Sequence, residues 1–238
     1  MKLDILAFGA HPDDVELGCG ATIAKEVARG KKVGIVDLTR GELGTRGSAE
    51  LRDQEAADAA KIMGVHVREN LAFADGFFVN DKTHQLQIIQ LIRKYQPTLV
   101  LCNAIDDRHI DHPKGSQLVS DACFLSGLQK IATELDGVAQ EKWRPKQVYH
   151  YIQWKHLEPD VVVDVSGYID VKLAAVKAYS SQFFDPSSKE PETPITSRNF
   201  LESVDYRAKD LGRLIGVSHA EGFTSERYVA VENFDKLI

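Results

Sequence analysis

Cysteine is scarce in this chain. Cys19, Cys102 and Cys123 are the only three among 238 residues, and no C-x-x-C pair occurs. That odd, scattered set argues against a disulfide framework and against a thiolate metal site. It fits buried small hydrophobes in a reducing compartment. No apolar run approaches the ~20 residues a membrane span requires. Positive charge is not in excess either: 29 basic against 35 acidic residues give a formal net charge of −6. Nothing electrostatic therefore points to nucleic acid or an anionic membrane as partner. The first residues, Met1-Lys2-Leu3-Asp4, run into a strand-like stretch with an acid at the fourth position, unlike a signal peptide, so the expected location is cytoplasmic. No G-x-G-x-x-G follows the first apolar run, which weakens the reading as a non-catalytic nucleotide-binding module. Repeats and low-complexity tracts are absent as well.

What is present is alternation. Leu3–Phe8 reads as a fully buried strand, and Val15–Arg29 as a helix ended by Gly30. Val33–Thr39 is a second buried strand, followed by a glycine-rich loop, Arg40–Gly47. Ser48 suits an N-cap for a helix with Ala56, Ala59, Ala60 and Met63 on one face, closed by Gly64. A strand within Val65–Phe73, a helix over Asp81–Tyr95 and a strand at Thr98–Cys102 follow, and then a helix from near Pro113 through Leu128. The predicted fold class is α/β: a Rossmann-like, mostly parallel sheet with helices on both faces. Past Glu134 the pattern loosens into a C-terminal elaboration. Strands are expected at Gln147–Gln153 and Val161–Ser166, and a helical stripe at Val171, Ala174, Ala175 and Ala178. A proline-bearing loop spans Phe183–Ser197, with a helix near Phe200–Leu214 and a strand near Ala220–Phe223 beyond it. No linker-like boundary interrupts the chain, so residues 1–238 are expected to form one domain.

Two clusters carry the chemistry. Ala10-His11-Pro12-Asp13-Asp14-Val15-Glu16-Leu17-Gly18 follows the first strand, and Asp106-Asp107-Arg108-His109-Ile110-Asp111-His112 follows the fourth. In an open parallel sheet, ligands bind beyond the carboxyl ends of the strands, where strand order reverses. A lone His11 would be read more simply as a satisfied polar residue at a helix start. Two such clusters at strand ends, each with adjacent carboxylates, favour one shared metal ion. Two imidazoles and a carboxylate with one position left for water suit a catalytic zinc, while manganese and iron accept the same donors. Bound zinc lowers the pKa of water from about 15.7 to about 7. A separate carboxylate must then carry the proton. The Asp13-Asp14 pair offers one ligand and one base, and spacing leaves open which is which. His109 and His112, three apart, can be aimed singly or together. Asp111 suits either an imidazole's partner or an ordinary charge at a helix N-terminus. Arg52 continues the Ala56 stripe toward the sheet's functional edge. It reads equally as a substrate-holding guanidinium or as the i, i+3 partner of Glu55.

The two motifs, together with Gly41-Glu42-Leu43, Arg52-Asp53-Gln54-Glu55-Ala56, Tyr179-Ser180-Ser181-Gln182-Phe183 and Ala220-Glu221-Gly222-Phe223, resemble the PIG-L/LmbE family of zinc-dependent N-acetylglucosamine deacetylases. Within it the likeness is greatest to the bacillithiol-biosynthesis deacetylases, which act on N-acetylglucosaminyl-malate. The resemblance implies roles that spacing left open: His11, Asp14 and His112 as zinc ligands, Asp13 as general base, and His109 as oxyanion donor with Asp111 orienting it. It also implies Arg52 against the sugar, with Arg108 beside it for the sugar or an attached acid. A small N-acetylated amino sugar is the expected partner, and homo-oligomers are expected. Other substrates for the same machinery are a chitin disaccharide or a thiol conjugate. The Phe183–Ser197 stretch falls where relatives carry a loop over the site.

Overall fold

The structure, a computed structural model, describes residues 1–237. Strand β1 (Ile5–Gly9) lies in the interior of the sheet, and every one of its residues is buried. It pairs in parallel with β2 (Val33–Thr39) on one side and β4 (Leu99–Cys102) on the other. Its side chains alternate between two cores, as a strand's two-residue period requires. Leu6 and Phe8 join Val36, Leu38 and Val100 under helices α3 (Lys82–Tyr95) and α4 (Asp111–Ser126). Ile5 and Ala7 join Ile35 and Leu101 under α1 (Asp14–Ala28), α2 (Ala49–Met63) and α5 (Ile169–Lys177). Helices thus cover both faces, and β1 can be apolar throughout, while β2 carries two buried polar residues, Asp37 and Thr39, toward its carboxyl end.

With β3 (Val67–Phe73), the short hairpin strands β5 (Glu134–Leu135) and β6 (Val138–Ala139), and β7 (Gln147–Tyr151), β8 (Val161–Asp164) and β9 (Ala220–Ser225), the main sheet runs β3-β2-β1-β4-β7-β9-β8. Five neighbouring strands are parallel. β9 then inserts antiparallel to both β7 and β8. Strand order reverses between β1 and β4, so the loops after these two strands open onto one crevice. The last helix, α6 (Arg198–Ile215), packs on β9 and β8. No helix among the described residues is long and apolar enough to cross a membrane.

Several boundaries follow from capping. The Ser48 side chain accepts from the Leu51 N–H, Asp81 from His84 and Ser197 from Phe200, while left-handed Gly64 and Gly216 close α2 and α6. Other details differ from the sequence reading. Helix α4 starts at Asp111, which places Asp111 and His112 in its first turn with Pro113 just behind, where proline is tolerated. The buried stripe of α5 is Ile169, Lys172, Ala175 and Val176, and Ala174 is exposed. The helix is rotated because Lys172 points inward to pair with Glu221 of β9 at 2.6 Å. The hairpin β5–β6 turns on Asp136-Gly137, both with positive φ, the pairing a tight hairpin favours.

Candidate active site

Both motifs converge at the β1/β4 crevice. Asp14 opens α1, and its carboxylate is fixed from four directions. Oδ2 accepts the His11 backbone N–H at 2.9 Å and the Asn103 side-chain amide at 2.9 Å. Oδ1 accepts from the Gln153 amide at 2.8 Å and lies 3.1 Å from His112 Nε2. His11 Nδ1 sits 3.5 Å from Oδ2. Asn103 and Gln153 hold each other at 3.0 Å, and Asn103 also accepts the Ala10 N–H, so the network ties β1, β4 and β7 together. A fully satisfied buried network of this kind rigidifies what it holds.

Asp13 is the opposite case. It is buried, its side chain caps nothing, and its backbone sits at φ 113°, ψ −23°, in the left-handed region that a non-glycine residue avoids. Such strain, about 1–3 kcal/mol, persists where the surroundings over-determine a functional residue. Burial pushes its carboxyl up to about 7, against the attraction of Arg52 and with the help of Asp14.

The three imidazoles pack together, with ring centroids 4.5 Å apart for His11 and His109, 5.2 Å for His109 and His112, and 5.7 Å for His11 and His112. His112 Nδ1 is held by Asp107 Oδ2 at 2.5 Å. Burial opposes charge on His112, but Asp14 and Asp107 outweigh it and push it up to about 9. His11 Nε2 lies 3.1 Å from Asp75 Oδ1 and 3.3 Å from Asp111 Oδ2. Burial opposes charge there too, and the bonds to Asp111, Asp14 and Asp75 outweigh it and hold His11 well above the ordinary imidazole range. His109 is lowered, by burial first and then by its two histidine neighbours.

The expected orientation of His109 by the Asp111 carboxylate is not what the structure holds. Asp111 Oδ2 faces His11 and the Gly76 N–H at 2.7 Å, and Oδ1 faces Lys114 Nζ at 2.6 Å. It is the backbone N–H of Asp111 that donates to His109 Nδ1, at 3.3 Å. The reason is the early start of α4: its first turn buries the Asp111 side chain beneath the histidines and leaves its N–H toward His109. Nδ1 is then an acceptor, and the His109 proton resides on Nε2.

A cation fits this donor set. Nitrogens of His11, His109 and His112 lie within 4.8 Å of one another, and a second group of the same span joins His11, Asp75 and Asp111. The carboxylates of Asp13, Asp14, Asp75, Asp107 and Asp111 surround the imidazoles, an excess of negative charge that suits a divalent ion.

Arg52 is buried beside Asp13, and its guanidinium donates to Gln182 Oε1. Glu55, its alternative partner, instead accepts from Ser180 and Ser181 at 2.7–3.2 Å. The loop before α2 must be glycine here, since a Cβ on Gly41, at φ +64°, would collide with that guanidinium. Arg108 is exposed at the rim, its guanidinium 4.7 Å above the Trp154 ring, which stacks on Phe200 at 5.4 Å.

All eight residues singled out by the sequence lie in this region, and seven of them line one cavity of about 630 Å³; Asp111 sits beneath it. That volume falls within the range of small-molecule sites. The Phe183–Ser197 stretch has no regular secondary structure, and Thr193, Pro194 and Ile195 form part of the wall. Arg46 ties this wall down through the carbonyls of Pro191 (2.6 Å) and Glu190 (3.1 Å).

The sequence reading missed Asn103, Gln153, Asp75, Gln182 and Glu221. Asn103 follows β4 directly and Asp75 lies two residues past β3, while Gln182 and Glu221 fall in segments that carry the family resemblance without an assigned role; those were the available signals. Glu221 accepts the Ala21 and Thr22 N–H groups at 3.2 and 2.7 Å, capping a second helical start inside α1. The helix breaks there at Cys19 (φ −146°, ψ 23°), next to Gly18, where the Tyr151 ring packs so closely that a Cβ would collide with it.

Imidazoles and carboxylates gathered at the switch point of a parallel α/β sheet form a donor set that fits a divalent metal, and comparison with known proteins narrows the class. Residues 6–123 match the family model described as PIG-L, GlcNAc-PI de-N-acetylase. The chain is 33% identical over 190 residues to the uncharacterized deacetylase YaiS of Escherichia coli (strain K12), covering 74% of this chain and 90% of that one. The crystal structure of the conserved protein TT1542 from Thermus thermophilus superposes with a TM-score of 0.85 at 35% identity, covering 97% of this chain and 98% of that one. N,N'-diacetylchitobiose deacetylase from Pyrococcus horikoshii gives a TM-score of 0.81 at 25% identity, covering 98% and 88%. The chain belongs to the PIG-L family of deacetylases.

Proposed function

We propose that the protein is a metal-dependent hydrolase that removes the N-acetyl group of an N-acetylglucosamine conjugate. The observation that carries this reading is the division of labour between neighbouring carboxylates: Asp14 is held from every side, whereas Asp13 is uncommitted and faces the cavity. His11, Asp14 and His112 would hold zinc, or manganese or iron in its place, which supplies a Lewis acid for the amide carbonyl and acidifies water. Asp13 takes the proton from the attacking water and returns it to the departing amine. His109, with its proton on Nε2, donates to the oxyanion that develops on the carbonyl oxygen. Arg52 holds a sugar hydroxyl, positioned by Gln182. Acetate and a free amino sugar leave.

For the aglycone, the motif resemblance favours N-acetylglucosaminyl-malate, the substrate of bacillithiol biosynthesis. The likeness to a diacetylchitobiose deacetylase supports a chitin disaccharide as the second reading. Metal analysis of the purified protein should find about one divalent ion per chain. Acetate release should be measured across N-acetylglucosaminyl-malate, diacetylchitobiose and an N-acetylglucosamine thiol conjugate. Full activity in metal-stripped protein would refute the ligand set, and turnover of the disaccharide alone would select the second reading.

A further inference from the structure

Helix α6 lines the cavity with a stripe repeating every three or four residues: Phe200, Ser203, Val204, Arg207, Ala208 and Leu211. Five of these are apolar or small, as a wall-forming helix face requires. Arg207 is the exception. The cavity lining holds three other arginines, and each is engaged. Arg46 bonds the carbonyls of Pro191 and Glu190, Arg52 bonds Gln182, and Arg108 lies on the Trp154 ring. Lys172, also in the lining, pairs with Glu221. Among the described residues, no hydrogen bond or ion pair reaches the Arg207 guanidinium, although the residue is half-buried in the cavity wall.

The anion nearest in effect is Asp107, whose two oxygens are already taken by His112 and by the Lys155 N–H. Burial lowers the Arg207 pKa from its ordinary value, with too little neighbouring charge to offset it. A guanidinium remains protonated even so. An enclosed charge with no partner is costly, and structures retain such a group where something else completes it. Arg108 adds a second cation at the rim, stacked on the Trp154 ring and, among the described residues, bonded to no carboxylate.

We propose that Arg207, assisted by Arg108, forms an anion subsite that selects conjugates whose aglycone carries a carboxylate or phosphate group. The inference rests on the deacetylase reading and deepens it by naming Arg207 as the residue that would discriminate an acidic aglycone from a neutral one. A planar guanidinium suits carboxylate and phosphate oxygens through paired hydrogen bonds. A neutral disaccharide would leave Arg207 uncompensated. The plain alternative is that Arg207 only extends its charged end toward water past the apolar stripe.

The test uses the metal-loaded protein and three probes: N-acetylglucosaminyl-malate, N-acetylglucosamine 1-phosphate and diacetylchitobiose. Wild type should show the higher kcat/KM on one of the acidic probes, and the preferred one identifies carboxylate or phosphate as the group read. Arg207→Met, with a melting temperature near that of wild type, should lower the acidic-to-neutral ratio of kcat/KM by at least about tenfold, mainly through KM. Arg207→Lys should recover part of that loss, and Arg108→Met should lose less. A ratio within about twofold of wild type in Arg207→Met, or a wild type that prefers the neutral disaccharide, overturns the subsite. If wild type releases acetate from none of the probes, the deacetylase reading fails instead, and calorimetry with malate and inorganic phosphate then decides. Anion binding lost in Arg207→Met upholds the subsite, and binding that is absent or indifferent to the substitution ends it.

Discussion

The first 126 residues and the C-terminal strands and helices contribute differently to the same cavity. The N-terminal region supplies the imidazoles and carboxylates proposed to react, in two compact motifs at the ends of buried parallel strands. The C-terminal region supplies single residues that hold and shape. Gln153 fixes Asp14, Gln182 fixes Arg52, the Tyr151 and Tyr179 hydroxyls donate to the Phe8 carbonyl and Glu16, and Glu221 caps the broken α1. Reactive groups must meet within a few ångströms and travel together in sequence when one loop can carry them. Supporting groups need only arrive from somewhere, so the chain scatters them.

The contrast breaks most sharply at Asp13. Asp13→Asn keeps the side-chain shape and tolerates the left-handed backbone, yet it cannot accept a proton. Its kcat should fall about 10²- to 10⁴-fold with metal content unchanged. Metal loss instead would mean that Asp13, not Asp14, is the ligand. In the supporting region the largest effect belongs to Glu221. Glu221→Ala uncaps Ala21 and Thr22 and leaves Lys172 buried without its partner, a change costing about 3–5 kcal/mol in urea unfolding. A loss below about 1 kcal/mol would show that the α1 break is held by Tyr151 packing alone.

This asymmetry also explains what could be read from the sequence. β1, β2 and the α2 caps came from apolar runs and local side-chain signals, which depend on residues within a few positions of each other. The convergence of His11, Asp14, His109 and His112 followed from one rule about strand ends. The insertion of β9 between β7 and β8 has no local signature, because any short strand can pair at any edge. Inward-pointing Lys172 escaped notice since a lysine on a helix is ordinarily solvated, and its partner lies 49 residues away. The direction of the Asp111 carboxylate depended on where α4 begins, and an earlier start there exchanged the group facing His109.

A middle-sized effect sharpens the link between the regions. Arg52→Ala should raise KM about 10- to 100-fold, as expected when a charged hydrogen bond to substrate is lost, with metal content intact. Gln182→Ala leaves the guanidinium in place but unpositioned, so its KM should rise by less. Equal effects from the two would mean that Arg52 works only by holding the Gln182 segment, and an unchanged KM in both would remove Arg52 from the sugar site.

The smallest effect lies at the seam between β4 and β7. His150 of β7 is buried, with Nδ1 2.7 Å from Ser116 Oγ, 3.1 Å from the Asn103 carbonyl and 3.2 Å from Cys102 Sγ. Its Nε2 lies 3.1 Å from Glu226 Oε1. Burial disfavours the imidazolium, but Cys102 and Glu226 outweigh burial and push His150 up to about 10. Burial works against Glu226 as well, yet its bond to His150 exceeds that desolvation and holds its carboxyl below the ordinary range. A histidine with a folded pKa above its unfolded value of about 6.5 stabilises fully below that pH, and the gain is lost as pH rises through the folded value. The lowered Glu226 sets the acid limit, where stabilisation is lost as pH falls through its folded pKa. His150→Gln should therefore cost about 1–3 kcal/mol near pH 6, and its deficit against wild type should narrow in urea unfolding at about pH 8 and again at about pH 10. A deficit that stays constant across that range would mean that the seam is joined by neutral hydrogen bonds and packing, with no charge on His150 at all.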